Sequence, residues 1–264
     1  MPELVRIGGL SAYAEIPARI AGPPILLIHG ILATGWYFEK YQRFLAALGY
    51  PSYAVNLRGR AESRPAPMVG RITMADFVTD ALDAARAIGR PVVIGHSMGG
   101  LIAQRLAEEN ASDATVLLAP APPRGISITR PGLMLRQLRH LPALVLSRPL
   151  VPGEGDTTAI VLNRVPPAER DALYARFIPD SGRAARDISL GAVRVDERKV
   201  RRPMLVVSGL DDRFVAPAVV RRVAVKYGAP CWQYPANAHF LIWEPGWDRI
   251  LADVEAWIRR VAGG

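Results

Sequence analysis

The sequence predicts an α/β fold, in which a mostly parallel sheet flanked by helices is interrupted by a helical insertion. Short apolar runs, each long enough for one buried strand, alternate with helical patterns through the first 120 of the 264 residues. That alternation stops at residues 120–123, where Pro-Ala-Pro-Pro begins a stretch of helical pieces separated by Pro and Gly. The strand pattern returns at residue 203. The sequence therefore predicts a core of residues 1–120 and 203–264 and an insertion over residues 121–202.

The elements of the core follow from their periodicity. The predicted strands are continuous apolar runs, and the predicted helices carry apolar residues at spacings of three and four. Before the insertion, strands are expected at residues 24–28, 53–57, 91–94 and 114–119, and helices at about 36–48, 73–88 and 98–106. After it, the sequence predicts a strand at 203–209, a helix at 217–227, a short strand at 231–234 and a helix at 247–260.

Composition excludes several classes of protein. With 50% hydrophobic and 22% charged residues, the chain is expected to be globular rather than disordered. A single cysteine, Cys231, excludes a disulfide framework and a Cys-based zinc cluster, and the 4 histidines are too scattered for a metal-binding pattern. The sequence has no apolar run long enough to span a membrane. The first residues, Met-Pro-Glu-Leu-Val-Arg, do not resemble a secretory signal, so a cytoplasmic location is expected.

The positive charge is concentrated in the insertion. The chain has 33 basic and 24 acidic residues and a net charge of +9, and residues 121–202 hold 15 of the basic and 8 of the acidic ones, a net of +7. Basic patches bind nucleic acids, anionic membranes or acidic ligands. Here acidic residues are interleaved and no nucleic-acid motif accompanies them, so no nucleic-acid partner is expected. Plain solvated helices are the favoured interpretation, with steering of an acidic substrate as the alternative.

The motif with the clearest chemistry is Gly95-His96-Ser97-Met98-Gly99, which follows an apolar strand and opens a helix. A sharp turn from strand to helix exposes a serine hydroxyl to a base, and small flanking residues let the strand and the helix approach closely. The N–H of Met98, the next residue, then points into the space where an oxyanion would develop. The pattern therefore predicts that Ser97 is a nucleophile.

Together with three other motifs, this one makes the sequence resemble the α/β-hydrolase superfamily, and within it a serine esterase or lipase with a helical cap. The resemblance is carried by Leu27-Ile28-His29-Gly30, by Gly95 to Gly100, by Ser208-Gly209-Leu210-Asp211-Asp212-Arg213 and by Ala238-His239-Phe240, in the family's order. It implies an eight-stranded sheet with the cap inserted after the sixth strand. That position agrees with the break at residue 121.

In this fold the order along the chain is serine, acid, histidine. His239 alone satisfies that order, since His29 and His96 precede the serine and His140 precedes the candidate acid. We interpret His140 as a solvated helix residue. Asp211 and Asp212 are both candidates for the acid that orients His239, and the family spacing from Gly209 favours Asp212. A second oxyanion donor is expected from the backbone N–H of Ile31.

These residues predict a serine hydrolase that cleaves a small-molecule carboxylic ester, or a lactone, through an acyl-enzyme intermediate. No metal or organic cofactor is implied. A perhydrolase, a thioesterase or a carbon–carbon bond hydrolase would use the same triad. The alternative from another class is a ligand-binding protein on the same fold with slow turnover. The sequence carries no signal of the oligomeric state.

Overall fold

The computed structural model of the chain describes residues 2–128, 138–151 and 153–262. Its strands are β1 (Glu3–Ile7), β2 (Leu10–Glu15), β3 (Ile25–Ile28), β4 (Ser52–Val55), β5 (Val92–His96), β6 (Ala114–Leu118), β7 (Pro149–Leu150), β8 (Asp180–Ser181), β9 (Met204–Gly209) and β10 (Cys231–Tyr234). Eight of them form one sheet in the order β1-β2-β4-β3-β5-β6-β9-β10, while β7 and β8 form a separate pair.

The large sheet is mostly parallel. The pairs β1–β2 and β2–β4 are antiparallel, and the pairs from β4 through β10 are parallel. Strands β3, β5, β6 and β9 are buried along their whole length, because helices cover both faces of the sheet. The predicted eight-stranded, mostly parallel sheet is therefore confirmed.

The helices in the described part of the chain are α1 (Glu39–Ala47), α2 (Met74–Ile88), α3 (Met98–Glu108), α4 (Leu141–Leu146), α5 (Glu154–Asp156), α6 (Pro167–Tyr174), α7 (Gly182–Ser189), α8 (Pro217–Tyr227) and α9 (Trp247–Ala262). Short 3₁₀ turns occupy Gly35–Phe38, Val69–Arg71, Leu138–His140 and Glu197–Lys199, and Thr157–Val161 is a π-helical turn. Apolar residues of α2, α3 and α8 bury one face of the sheet, and those of α1 and α9 bury the other.

The capping residues in the sequence predict both ends of α2. Thr73 is its N-cap, and the Thr73 and Asp76 side chains each accept a hydrogen bond from the other residue's backbone N–H. Gly89 ends the helix with a φ of +89°, the left-handed conformation that glycine adopts without strain. The predicted helix over 73–88 is therefore confirmed.

The structure differs from the sequence prediction in three places. The antiparallel strands β1 and β2 were not predicted, because β1 is an exposed edge strand without a continuous apolar run. The predicted helix at 36–48 is split into a 3₁₀ turn followed by α1. The insertion, in which no strand was expected, contains the β7–β8 pair, whose strands of 2 residues each are too short to leave a periodic pattern.

Between β6 and β9 the described residues form α4 to α7, the β7–β8 pair and short turns. Residues 129–137 and residue 152 of the predicted insertion lie outside the described residues. The role of residues 121–202 as a cap stays a prediction. Among the helices that the structure describes, none combines the length and the apolar character that crossing a bilayer requires.

Candidate active site

Ser97 lies at the tight turn between β5 and α3, where the backbone adopts an unusual conformation. Its φ is +54° and its ψ is −116°, and a non-glycine residue rarely has a positive φ. The flanking glycines permit this turn: a Cβ on Gly95 would overlap the carbonyl oxygen of Gly99, and a Cβ on Gly99 would overlap that of Ile28. The structure thus gives Ser97 the strand-to-helix context that the motif predicts.

A continuous hydrogen-bond chain joins Ser97, His239 and Asp212. The Ser97 Oγ lies 3.0 Å from His239 Nε2, and His239 Nδ1 lies 2.9 Å from Asp212 Oδ2. All three side chains are buried. Because an ionised carboxylate only accepts hydrogen bonds, it holds the ring hydrogen on Nδ1 and leaves Nε2 free to accept the serine proton.

The adjacent aspartates have different environments. The second oxygen of Asp212, Oδ1, accepts hydrogen bonds from the backbone N–H groups of Phe214 at 2.7 Å and Val215 at 2.8 Å. Asp211 instead forms a half-exposed ion pair with Arg164. The structure therefore brings Asp212, and not Asp211, to the imidazole of His239.

Two buried residues hold the loop that carries His239, and sequence reasoning missed both roles. Glu244 Oε2 accepts the N–H of Ala238 at 2.6 Å, and Oε1 accepts the N–H of Phe240 at 3.0 Å. Burial raises the pKa of the Glu244 carboxyl, and the hydrogen bonds from the loop oppose that shift.

His96 is the second of these residues, and its Nε2 donates to the carbonyl oxygen of His239 at 2.8 Å. Burial lowers the pKa of the His96 imidazole to about 3, so that ring is neutral near pH 7.

The two predicted oxyanion donors, Ile31 and Met98, line the same cavity as Ser97. Met98 is the first residue of α3, where a backbone N–H has no partner within the helix. Among the residues that the structure describes, neither the Ile31 nor the Met98 N–H has a hydrogen-bond acceptor. Both groups are thus available to a ligand atom in the cavity.

The cavity beside Ser97 and His239 has a volume of about 160 Å³ and an apolar wall. Most of the large apolar side chains come from between β6 and β9, namely Ile128, Leu144, Leu150, Val151, Ile160, Val161, Phe177 and Ile188, and they are joined by Tyr37 and Phe214. The hydroxyl of Thr157 donates to the carbonyl oxygen of Gly153 at 2.8 Å, so it is directed to the backbone. The wall therefore favours apolar groups.

The interpretation of His140 as a solvated helix residue is wrong. His140 ends a 3₁₀ turn, is partly buried and lines the cavity. Burial, and then the charge of Arg139, lower the pKa of its imidazole. No Lys or Arg is among the described residues of the cavity wall, although the insertion is strongly basic.

This arrangement has the parts needed for nucleophilic chemistry on a carbonyl group: a hydroxyl, an imidazole oriented by a carboxylate, and two backbone donors. In the described part of the chain, no cluster of three or more His, Cys, Asp or Glu side chains has the arrangement of a metal site.

The chain is similar to known proteins over most of its length. A family model described as the alpha/beta hydrolase family matches residues 25–252. The chain is 27% identical over 237 residues to a pyrethroid hydrolase from Sphingobium wenxiniae, covering 78% of this chain and 77% of that protein. It is 32% identical over 105 residues to epoxide hydrolase 3 from Xenopus tropicalis, a match that spans only 28% of that protein and 38% of this chain.

A solved structure of a thermophilic esterase from Thermogutta terrifontis superposes with a TM-score of 0.75. Its sequence identity to this chain is 20%, and the match covers 98% of this chain and 99% of the esterase. At this level of sequence identity, the structural similarity shows a shared fold.

Proposed function

The chain belongs to the alpha/beta hydrolase family of enzymes, and from that membership we propose that it is a serine hydrolase that cleaves a carboxylic ester or lactone. In this proposal Ser97 is the nucleophile, His239 is the general base and acid, and Asp212 orients His239. The observation that supports it best is the hydrogen-bond chain from Asp212 through His239 to Ser97 beside an apolar cavity.

The first half of the reaction forms an acyl-enzyme. Ser97 Oγ attacks the ester carbonyl carbon as its proton passes to His239 Nε2, and the carbonyl electrons move onto the oxygen. The N–H groups of Ile31 and Met98 stabilise that oxyanion, and Asp212 stabilises the imidazolium. The carbonyl then re-forms, the bond to the alcohol oxygen breaks, and His239 gives its proton to the departing alcohol.

The second half regenerates the enzyme. A water molecule gives a proton to His239 Nε2 as its oxygen attacks the acyl carbon. The second tetrahedral intermediate collapses, the carboxylic acid leaves, and Ser97 recovers its proton from His239. The same two backbone donors serve both intermediates, because the oxyanion develops at the same place.

The cavity wall supports a neutral, apolar acyl group of limited size. An apolar cavity of about 150 Å³ accommodates benzene in another protein, and the volume here is about 160 Å³. A group of about six carbons therefore fits without displacement of the wall. The wall offers no described cation to a carboxylate-bearing ester. This proposal also assigns residues 121–202 the role of a cap, which supplies most of the apolar wall.

Labelling tests the nucleophile. We expect a fluorophosphonate to add once to the wild type at Ser97, and Ser97→Ala to lose labelling and on the order of 10⁶-fold in kcat while remaining folded. Labelling at another residue, or near-normal turnover in the alanine variant, would contradict the proposal. A stoichiometric burst of product without further turnover would favour a ligand-binding protein on the same fold.

A series of p-nitrophenyl esters tests the substrate class. We expect kcat/KM to be highest for acyl chains of about four to six carbons and to fall more than tenfold by about twelve carbons, because longer chains exceed the cavity. A rate that rises steadily with chain length would contradict the assigned size. A matched series of thioesters shows whether the oxygen ester is preferred.

A further inference from the structure

Leu32, in the oxyanion loop of residues 29–33, is bound by Asp180, the first residue of β8, and by Ile178, two residues before it. The Leu32 N–H donates to Asp180 Oδ2 at 2.6 Å, and the Leu32 carbonyl oxygen accepts the N–H of Ile178 at 2.9 Å. Leu32 has a φ of +67°, which a leucine adopts only when its surroundings impose it. Both polar groups of its backbone are thus bound by residues from the insertion.

Arg60 binds the same loop at Ala33, the residue after Leu32. Its Nε donates to the carbonyl oxygen of Ala33 at 2.9 Å, and its Nη2 forms an ion pair with Asp180 Oδ2, the oxygen that also accepts the Leu32 N–H. The guanidinium also lies 4.8 Å from the ring centre of Phe77. Arg60 is 3% exposed and Asp180 is 0% exposed. A buried charge pair with such directed hydrogen bonds fixes the positions of its partners strongly.

Asp180 is itself held firmly in place. Its Oδ1 accepts the N–H of Ser181 at 2.6 Å. The Ser181 Oγ lies 2.5 Å from the carbonyl oxygen of Ile72, and it accepts the N–H of Ala184 as the N-cap of α7. The carboxylate therefore sits on a rigid junction between the insertion and the core.

These contacts bind the backbone that follows Ile31 and leave the Ile31 N–H, beside the cavity, without a described acceptor. The Leu32 N–H, the Leu32 carbonyl oxygen and the Ala33 carbonyl oxygen all bind protein partners. Because consecutive peptide groups share a Cα, fixing the Leu32 peptide limits the orientations that the Ile31 peptide can adopt.

We propose that Asp180, paired with Arg60, is a positioning residue that holds the oxyanion loop so that the Ile31 N–H faces the reacting carbonyl. This inference rests on the proposed ester hydrolysis. It adds a dependence of the oxyanion site on the insertion, through a contact between residues 148 positions apart in the chain.

The test compares Asp180→Asn with a matched variant, Asp80→Asn. Asp80 is also 0% exposed and pairs with two arginines, Arg58 and Arg64, but it makes no described contact with the oxyanion loop. For each variant we would measure kcat and KM on a short-chain ester, affinity for a trifluoromethyl ketone, and hydrogen exchange of the peptide that contains residues 29–33. The ketone forms a tetrahedral adduct whose oxyanion needs the same donors.

For Asp180→Asn we expect kcat to fall about 10²-fold with KM within about twofold, because the transition state loses a correctly placed donor and the ground state does not. The affinity for the ketone should fall in proportion to kcat/KM, and exchange in residues 29–33 should become faster. Asp80→Asn should show a comparable drop in melting temperature but keep kcat within about twofold.

A wild-type kcat in Asp180→Asn, or equal losses of kcat in the two variants, would overturn the inference. If Asp180→Asn does not fold, Arg60→Lys takes its place, since it retains the charge and loses the planar fork that binds Ala33 and Asp180. An Arg60→Lys enzyme with wild-type kcat and wild-type exchange in the loop would also overturn it.

If the proposed function is wrong, these experiments give a different set of results. In that case the wild type would neither hydrolyse esters nor be labelled at Ser97. The hydrogen-exchange comparison would still decide whether Asp180 holds the loop.

Discussion

Replacing Asp212 by asparagine should remove most of the activity through the tautomer of His239. Oδ1 of Asp212 accepts two backbone N–H groups, those of Phe214 and Val215, so an asparagine side chain must keep its oxygen at that position. Its NH₂ group then occupies the position of Oδ2, which lies 2.9 Å from His239 Nδ1. Two N–H donors cannot face each other, and the ring hydrogen moves to Nε2, where it blocks acceptance of the Ser97 proton.

The expected loss in kcat is about 10⁴-fold, or about 5 kcal/mol in transition-state stabilisation. Asp211→Asn is the matched control, because the described side-chain partner of Asp211 is the half-exposed Arg164 and not His239. An exposed ion pair contributes about 0–1 kcal/mol to stability, so this variant should keep its kcat and lose little stability. Steady-state kinetics and thermal melts of both variants test this reasoning. It is refuted if Asp212→Asn stays within tenfold of the wild type or if Asp211→Asn is the inactive variant.

Two further predictions concern the elbow and its neighbour. Gly99→Ala should destabilise the fold by about 3 kcal/mol in urea unfolding, because the new Cβ overlaps the Ile28 carbonyl oxygen. Gly155→Ala should not destabilise it, because a Cβ there meets nothing within 4 Å and alanine favours a helix over glycine. Equal effects would contradict this account of the turn. Burial and then the charge of His239 lower the His96 pKa from 6.5 to about 3, so its stabilising effect is present above pH 6.5 and is lost as the pH falls toward 3. His96→Gln should reduce the decline of unfolding free energy over that range by up to about 1.4 kcal/mol per pH unit, and unchanged pH profiles would contradict it.

Much of the core could be predicted because its signals are local. Strands β3 and β5 are buried on both faces, so each reads as a continuous apolar run. Strand β1 could not be read in that way, since its residues are mostly exposed and its order depends on pairing with β2. The β7–β8 pair depends on contacts between residues about 30 positions apart, which no short window of sequence contains.

The same distinction applies to the candidate site. Ser97 and its flanking glycines lie within five residues, so one short motif predicts the turn that presents the hydroxyl. Asp180 left no signal, because its partner Leu32 lies 148 positions away and neither residue type is unusual where it stands. Glu244 could have been found from the sequence, since it is an isolated carboxylate at the end of the apolar run Phe240-Leu-Ile-Trp, five residues after His239.

The insertion has two roles in the proposed enzyme, and they are linked by position along the chain. Phe177 contributes to the apolar cavity wall, and Asp180, three residues later, holds the oxyanion loop. An exchange of the whole insertion, made to change the acyl group that the enzyme accepts, would therefore also remove the carboxylate that pairs with the buried Arg60. An unpaired buried charge is strongly destabilising, so such a chimera needs an aspartate at the matching position. Substitutions confined to side chains of the cavity wall, such as Ile160 and Ile188, leave the Asp180 contact intact and change the acyl preference alone.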